Sequence, residues 1–563
     1  MSLALNLGAQ DISKKVWASG YARGTFLMDD FDTKSAIEDT VTARKLNSGH
    51  VLADLSINVQ PNANTELLGQ VRVRNDFGGF WGSGVTFDVR QLYLKGVVGG
   101  IVRYQLGDFN YKLTPYTFYN NEEELSQNEA EIFSIYRDMM HQDLFYDDNN
   151  SWRQQGASID IGLEFKRFVE ELNFNFFSSR VRPSNFTSIS DQIFLGTSIG
   201  LVQSEKLKLA FNYVRMLDIE ETSNSNRYLN NPVFSTALEA KIWKNANYSL
   251  LAKGEVGASK FQYENDTLSP ILEDYFMDLN IQFNSLKTGL SLDLNYINVG
   301  ADFRSPGAQT KRIAFTSQLG AYERYGNEQA LRSVNMMDLM RDVSLYNQQI
   351  SPILMAYNPS YGNSNPYGNA SPNRSGLKLK LSHKDLKKRW EANFHFNQLS
   401  EILGSGTDEI RNFSSWKIES KIDLAKFLNG YQRKIELNAS YWSENTSRAE
   451  ESGLQTVDLS NRMLNLGLNI GLGNNFELLA GLRSLRSDGF DFMPELNVYS
   501  EIIDFNEFRT ELSEQIYGCG IRYNFSEKVN LSLLYHNFNW KDDLSNLSEY
   551  QMNQYSINYI MNF

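Results

Sequence analysis

The chain is dominated by a period of two. Val51, Ala53, Leu55, Ile57 and Val59 alternate with Leu52, Asp54, Ser56 and Asn58, and Pro61-Asn62-Ala63-Asn64 then breaks the run. Strict alternation turns one face of an extended segment to apolar surroundings and the other to water. The pattern returns in Tyr275, Met277, Leu279, Ile281 and Phe283, in Leu290, Leu292, Leu294 and Tyr296, in Trp416, Ile418, Ile422 and Leu424, and in Leu464 to Leu472. About 22 such segments occur, most of them roughly 10–13 residues long, enough at ~3.3 Å per residue and a tilt near 45° to cross an apolar slab of about 25 Å.

The connections between the segments alternate between short and long. Short ones sit near Pro61, Val97, Lys166, Glu205, Lys244, Ser285, Lys384, Gly430, Asn474 and Glu527. Among the long ones are residues 29–49, 111–156, 300–374 and 487–511. A transmembrane barrel has short periplasmic turns and long extracellular loops, whereas stacked soluble sandwiches have no reason to keep that alternation. The fold expected is therefore all-β, a closed antiparallel transmembrane barrel of about 22 strands. It forms one unit over residues 16–563, with both termini on the periplasmic side. Three strands are expected to begin near His50, Arg462 and Leu512. Residues 1–15 read as the remnant of a secretory signal or as an ordinary polar tail, since the apolar run is short and no basic segment precedes it.

Composition removes other classes. Mean hydropathy is −0.42, and no stretch approaches the roughly 20 apolar residues of a membrane-spanning helix. A net charge of −13 argues against nucleic acid as a partner. The lone Cys519 excludes an intramolecular disulfide or a cysteine zinc site. His50, His141, His383, His395 and His536 are scattered without ligand spacing, and no nucleophile motif or phosphate loop is present. The expectation is no enzyme, no cofactor and no metal. The run Glu122-Glu123-Glu124 reads as a solvated charge cluster or a helix start, with a calcium site as the alternative.

Tyr555, Ile557, Tyr559, Met561 and Phe563 alternate to the last residue. This end resembles the C-terminal assembly signal of bacterial outer-membrane proteins, and the resemblance implies recognition by the barrel-assembly machinery. Val89-Arg90-Gln91-Leu92-Tyr93-Leu94-Lys95, followed by Arg103-Tyr104-Gln105-Leu106-Gly107-Asp108-Phe109, resembles the strand-turn-strand unit of porin-like barrels. With its Tyr- and Asn-rich loops the whole chain is similar in style to large outer-membrane barrels of Bacteroidota. It departs from TonB-dependent transporters, which carry a plug of considerable size before the first strand.

The candidate pore-lining residues are Arg72, Arg74, Arg90 and Arg103, with Arg23 beside them, all opposite the best apolar positions and expected at a similar height on one inner wall. They form either a guanidinium ladder for anionic or polar solutes or a scaffold neutralised by Asp54, Asp88 and Asp160. Gln91 falls on the outward face by strict counting, so the register of its strand is irregular. Loops 111–156 and 300–374 each hold an apolar helical stripe, over 121–142 and about 327–346. A barrel this wide needs filling, so at least one of these loops is expected to dip below the rim, against inward aromatics such as Tyr21, Phe177 and Trp442. The alternative is an external lid.

The function expected is a porin or loop-gated channel for polar solutes in a Gram-negative outer membrane, in contact with outer-membrane lipid and lipopolysaccharide. The alternative is a structural or assembly barrel that holds a lipoprotein or secretion partner without transport.

Overall fold

Every alternating run becomes a strand. The computed structural model describes residues 15–33, 44–77, 85–119, 129–133, 135, 152–309, 358–428, 433–449, 456–473, 475–496, 502–544 and 549–563. The first strands are β1 (Val16–Thr33), β2 (Arg44–Asn62), β3 (Thr65–Asp76), β4 (Val85–Val98), β5 (Val102–Tyr111) and β6 (Trp152–Arg167). They continue as β7 (Val169–Arg182), β8 (Gln192–Ser204), β9 (Leu207–Asp218), β10 (Tyr228–Lys244), β11 (Tyr248–Glu264) and β12 (Leu272–Ser285). Next come β13 (Leu290–Val299), β14 (Arg374–Lys384), β15 (Trp390–Ser400), β16 (Asn412–Asp423), β17 (Ile435–Arg448) and β18 (Val457–Gly473). The last are β19 (Phe476–Leu496), β20 (Ile502–Ser526), β21 (Val529–Asp542) and β22 (Glu549–Asn562).

Each strand pairs antiparallel with its neighbours in sequence, and β1 pairs with β22, so the 22-stranded sheet closes on itself. At that seam the Phe563 and Gly20 backbones exchange two hydrogen bonds of 2.9 Å. The Phe563 ring lies over Gly20 on the outer face. Three strands begin earlier than the alternation implies: β2 at Arg44 instead of near His50, β18 at Val457 instead of near Arg462, and β20 at Ile502 instead of near Leu512. All three extensions are at the extracellular end. There the ladder continues, but no lipid imposes an apolar face, so the two-residue pattern fades.

The outer face is a bilayer surface. Leu55, Ile57, Phe234, Leu279, Ile281, Ile418 and Ile557 all stand exposed on it. Aromatic pairs gather near the periplasmic turns: Trp243 on Tyr248, Tyr248 on Phe283, and Phe476 on Tyr523. An apolar band edged by aromatic rings is the signature of a transmembrane barrel, and closed antiparallel barrels of this kind span bacterial outer membranes. This chain belongs there. No helix among the described residues is long and apolar enough to cross a membrane.

The helical stripes fall largely outside the described residues. Of 121–142, the structure describes a 3-10 turn at Glu131–Phe133 and its immediate neighbours. The stripe at 327–346, the run Glu122–Glu124, His141 and residues 1–14 also lie outside.

Candidate functional site

The lumen is lined by the other side chain of each alternating pair, so its polarity follows from the lipid face. Along β2, Asp54, Ser56 and Asn58 point inward and are buried, while Leu55 and Ile57 face out. The arginines are carried on this inner wall. Arg23 and Arg74 flank Leu52 in one rung, and Arg72 lies between Asp54 and Asp88 in the next.

Arg72 is only 1% exposed. Its Nε and Nη2 donate to the two oxygens of Asp54, each at 2.6 Å. Arg74 donates to Asp76 at 2.8 Å, and Arg23 meets the His50 ring at 3.1 Å. Arg90 is an inserted residue: Gln70 pairs with Gln91 and Val71 with Val89, so a bulge at Arg90 lets both Arg90 and Gln91 face inward. The outward placing of Gln91 by simple counting is thereby corrected. Arg23, Arg72, Arg74 and Arg90 thus form one buried group on β1–β4.

Arg103 stands apart. It pairs with Val97 just above the tight turn at Gly99-Gly100, near the periplasmic mouth, where it is exposed opposite Asp160. Its strand starts late, so it lies lower than the others, and the expected common height does not hold. The β4–β5 hairpin is itself short, ending at Tyr93 and Gly107. Gly107 takes φ +95°, with the Leu92 carbonyl in the space a Cβ would fill. The Asp108 carboxylate accepts the Leu92 N–H at 2.6 Å in place of the lost ladder bond.

The described parts of both long loops enter the barrel. Tyr116 and Phe118 from the first, and Phe303, Ala308 and Ala370 from the second, are buried in one apolar cluster with Phe177, Phe194, Val214, Val233 and Phe276 of the inner wall. Phe118 stacks on Phe177 at 5.1 Å and Tyr116 on Phe276 at 4.0 Å. Burying a side chain of that size contributes roughly 1.5–3 kcal/mol, so this cluster is a core in its own right. The two loops also bind each other. Ser305 donates to the Tyr116 carbonyl at 2.7 Å and Tyr119 N–H to the Gly307 carbonyl at 3.0 Å, while within the second loop Gln309 donates to the Ala370 carbonyl at 2.7 Å.

Wall carboxylates anchor them. Asp278 accepts the Tyr116 hydroxyl at 2.7 Å and the Asn369 amide at 3.3 Å, one from each loop, while Glu255 accepts the Thr114 hydroxyl at 2.6 Å. Further round the wall, on β17, Glu444 takes the N–H groups of Asn363 and Ser364, at 2.6 and 3.0 Å. Asp491 receives both the Asn363 amide at 2.7 Å and the Arg411 guanidinium at 3.0 Å. Arg411 also holds Glu401 at 2.7 Å. Burial opposes the charge on Glu401, but the Arg411 guanidinium outweighs it and keeps the carboxyl below its ordinary range.

A third contact belongs to the first loop alone. Gly467, Gly481 and Gly518 stand in register on β18, β19 and β20. A Cβ on Gly467 or Gly481 would come within 2.7 Å of Ala130 or Ile132. The turn at Ala130–Phe133 is seated in this shallow cradle, and Glu129 and Glu131 reach outward to Arg483 and Arg522.

No family model matches the chain, and no curated protein matches it. Among solved structures, OccK11 (OpdR) of Pseudomonas aeruginosa is 12% identical, with 97% of this chain and 96% of that chain covered at a TM-score of 0.35. A BenF-like porin from Pseudomonas fluorescens Pf-5 is 11% identical, covering 97% and 99% at 0.34. The ferric citrate transporter FecA in its unliganded form is 11% identical, covering 97% of this chain and 78% of that one at 0.48.

Sequence reasoning found the arginines but missed the anchors. Asp278, Glu444 and Asp491 look like any other inward polar residue, because their partners lie in distant loops. The glycine row is equally hidden. Its members are separated along the chain, and only the strand register aligns them.

Proposed function

We propose that this protein is an outer-membrane channel for small polar solutes, its passage narrowed by the two loops folded into the lumen. One observation carries this reading. Arg103, Lys253 and Lys380 face inward yet are exposed, so the lumen beneath the packed loops is wet and charged. Solutes would diffuse past that wall without bond chemistry, and selectivity would follow from its charge and from the width the loops leave. The buried arginines on β1–β4 act as scaffold in this reading, and Arg103 keeps the pore-lining role. Tyr555, Ile557, Tyr559, Met561 and Phe563 serve as the assembly signal read by the barrel-assembly machinery, and the outer face meets lipid and lipopolysaccharide. The kinship with Bacteroidota barrels rests on the style of the loops and the terminal Phe.

Planar-bilayer recording of the purified protein tests the proposal. Resolved unitary conductance steps support it, and a silent bilayer from correctly folded protein overturns it. The apolar cluster within the lumen favours a second reading, a permanently filled barrel that holds a lipoprotein or secretion partner. Silence together with a stoichiometric partner in mild detergent would establish that one.

A further inference from the structure

Two kinds of attachment hold the loops, and they differ in chemistry. The segments around Tyr116, Phe303 and Ala370 sit in an apolar core and are tied to one another. The segment at Glu129–Phe133 lies instead on β18–β20, in the cradle of Gly467, Gly481 and Gly518. Its clamps are ionic. Glu129 meets Arg483 at 3.3 Å, with both side chains nearly buried. Glu131 accepts from Nη1 and Nη2 of Arg522 at 2.8 and 2.9 Å, and Arg522 also faces Glu477 of the wall at 3.3 Å. Asn438 donates to the Glu129 carbonyl at 3.5 Å, and the Phe133 ring lies 5.8 Å from that of His536.

We propose that the turn at Glu129–Phe133 is a detachable constriction that sets the size limit of the passage, with Arg483 and Arg522 as its positioning residues. The glycines explain how it fits: without side chains, the wall lets a backbone turn lie flat against it. The two clamps explain how it leaves. The Glu131 side chain is 31% exposed and that of Arg522 15%, so the periplasmic-side pair is wet, screened by salt and individually weak. The Glu129–Arg483 pair is dry, so breaking it costs more. Release therefore begins at Arg522 and is completed at Arg483, while the apolar core keeps the segments around Tyr116, Phe303 and Ala370 in place. The cradle lies six residues up β19 from the periplasmic turn at Asn475, in the lower third of that strand, so the turn reaches deep enough to narrow the lumen where the wall is wet.

The consequence for passage rests on the channel reading, but the docking of the turn can be measured without it. Ile135 is buried beside the turn. The full-length Ile135→Cys protein is made with Cys519→Ala, folded in detergent, and labelled with a water-soluble maleimide. Arg483→Gln should raise the labelling rate about tenfold or more, and Arg522→Gln by less. The exchange Glu129→Arg with Arg483→Glu should restore protection, which simple loss of packing would not do. Gly481→Ile, which fills the cradle and leaves every charge in place, should also expose the thiol. Folding of each variant is checked by heat-dependent gel mobility. In planar bilayers the same variants should show larger unitary conductance than the parent, and the exchange should return it. Unchanged labelling in Arg483→Gln and Gly481→Ile would overturn the detachable turn. Raised labelling with unchanged conductance in a conducting parent would overturn its role in setting the passage. Raised labelling with a silent parent would overturn the channel reading alone.

Discussion

Buried and wet guanidiniums in the same lumen carry different burdens. Arg72 is sealed in the wall with its Nε and Nη2 on the two oxygens of Asp54, and breaking such a buried pair by removing one partner costs about 3–5 kcal/mol. Arg72→Leu should accordingly lower the midpoint of heat or urea unfolding in detergent. The double variant Arg72→Leu with Asp54→Leu should recover much of the loss, since a well-packed apolar pair of similar volume replaces the ion pair at little cost. An unfolding midpoint unchanged in the single variant would mean that the pair is not structural. Arg103 should behave in the opposite way. It is exposed near the periplasmic mouth, so Arg103→Ser is expected to leave the unfolding midpoint unaltered and to shift reversal potentials towards cation preference. An unmoved reversal potential would remove Arg103 from the pore.

Strands and loops are joined by local devices that make separate claims. The terminal strand closes the barrel through Phe563 and Gly20. Deleting Phe563 should lower the amount of protein in the outer-membrane fraction several-fold, while the fraction that does assemble unfolds nearly as before. Wild-type levels of the deletion would count against the assembly-signal role. On the extracellular side, Arg411 joins Glu401 of its own loop to Asp491 of β19. The Glu401 carboxyl is held below its ordinary value of 4.5, so its contribution to stability is fully present above that value. It is lost as pH falls through the lower folded-state value. Protease resistance of the 401–411 loop should therefore drop with acid below about pH 4.5, and Glu401→Gln should be weaker at neutral pH and lose that acid-dependent step. A step of undiminished size in Glu401→Gln would assign it to another carboxylate. These devices also mark what was readable in advance. Alternation along Val51–Val59 and Tyr555–Phe563 settles strand and face because lipid on one side enforces it, and the alternation of short and long connections settles direction. Nothing comparable enforces the bulge at Arg90, the long extracellular reach of β20, or the partnership of Asp278 with Tyr116, each of which depends on residues far away in the chain.

For the molecule as a whole the governing fact is that the loops return into the barrel. A lumen of 22 strands is too wide to stand empty without leaking, and the described loop segments occupy two walls in different ways. Tyr116, Phe118 and Phe303 build a core against β7–β13, whereas Ala130 to Phe133 lies on the glycine row of β18–β20. Deleting residues 121–142 while preserving the flanking strands removes the second contact and leaves the first in place. The barrel should still assemble, because its ladder and the apolar core do not depend on the deleted stretch. If the chain conducts, its unitary conductance should rise, and cells that express the deletion should become sensitive to vancomycin, which is too large for the narrowed passage. Substituting Phe118 and Phe303 by Ala acts on the other wall. It should lower thermal stability first, since buried rings are lost there, and widen the passage only as far as the core loosens. A deletion of 121–142 that assembles, conducts as before and gains no vancomycin sensitivity would place the constriction wholly in the aromatic core.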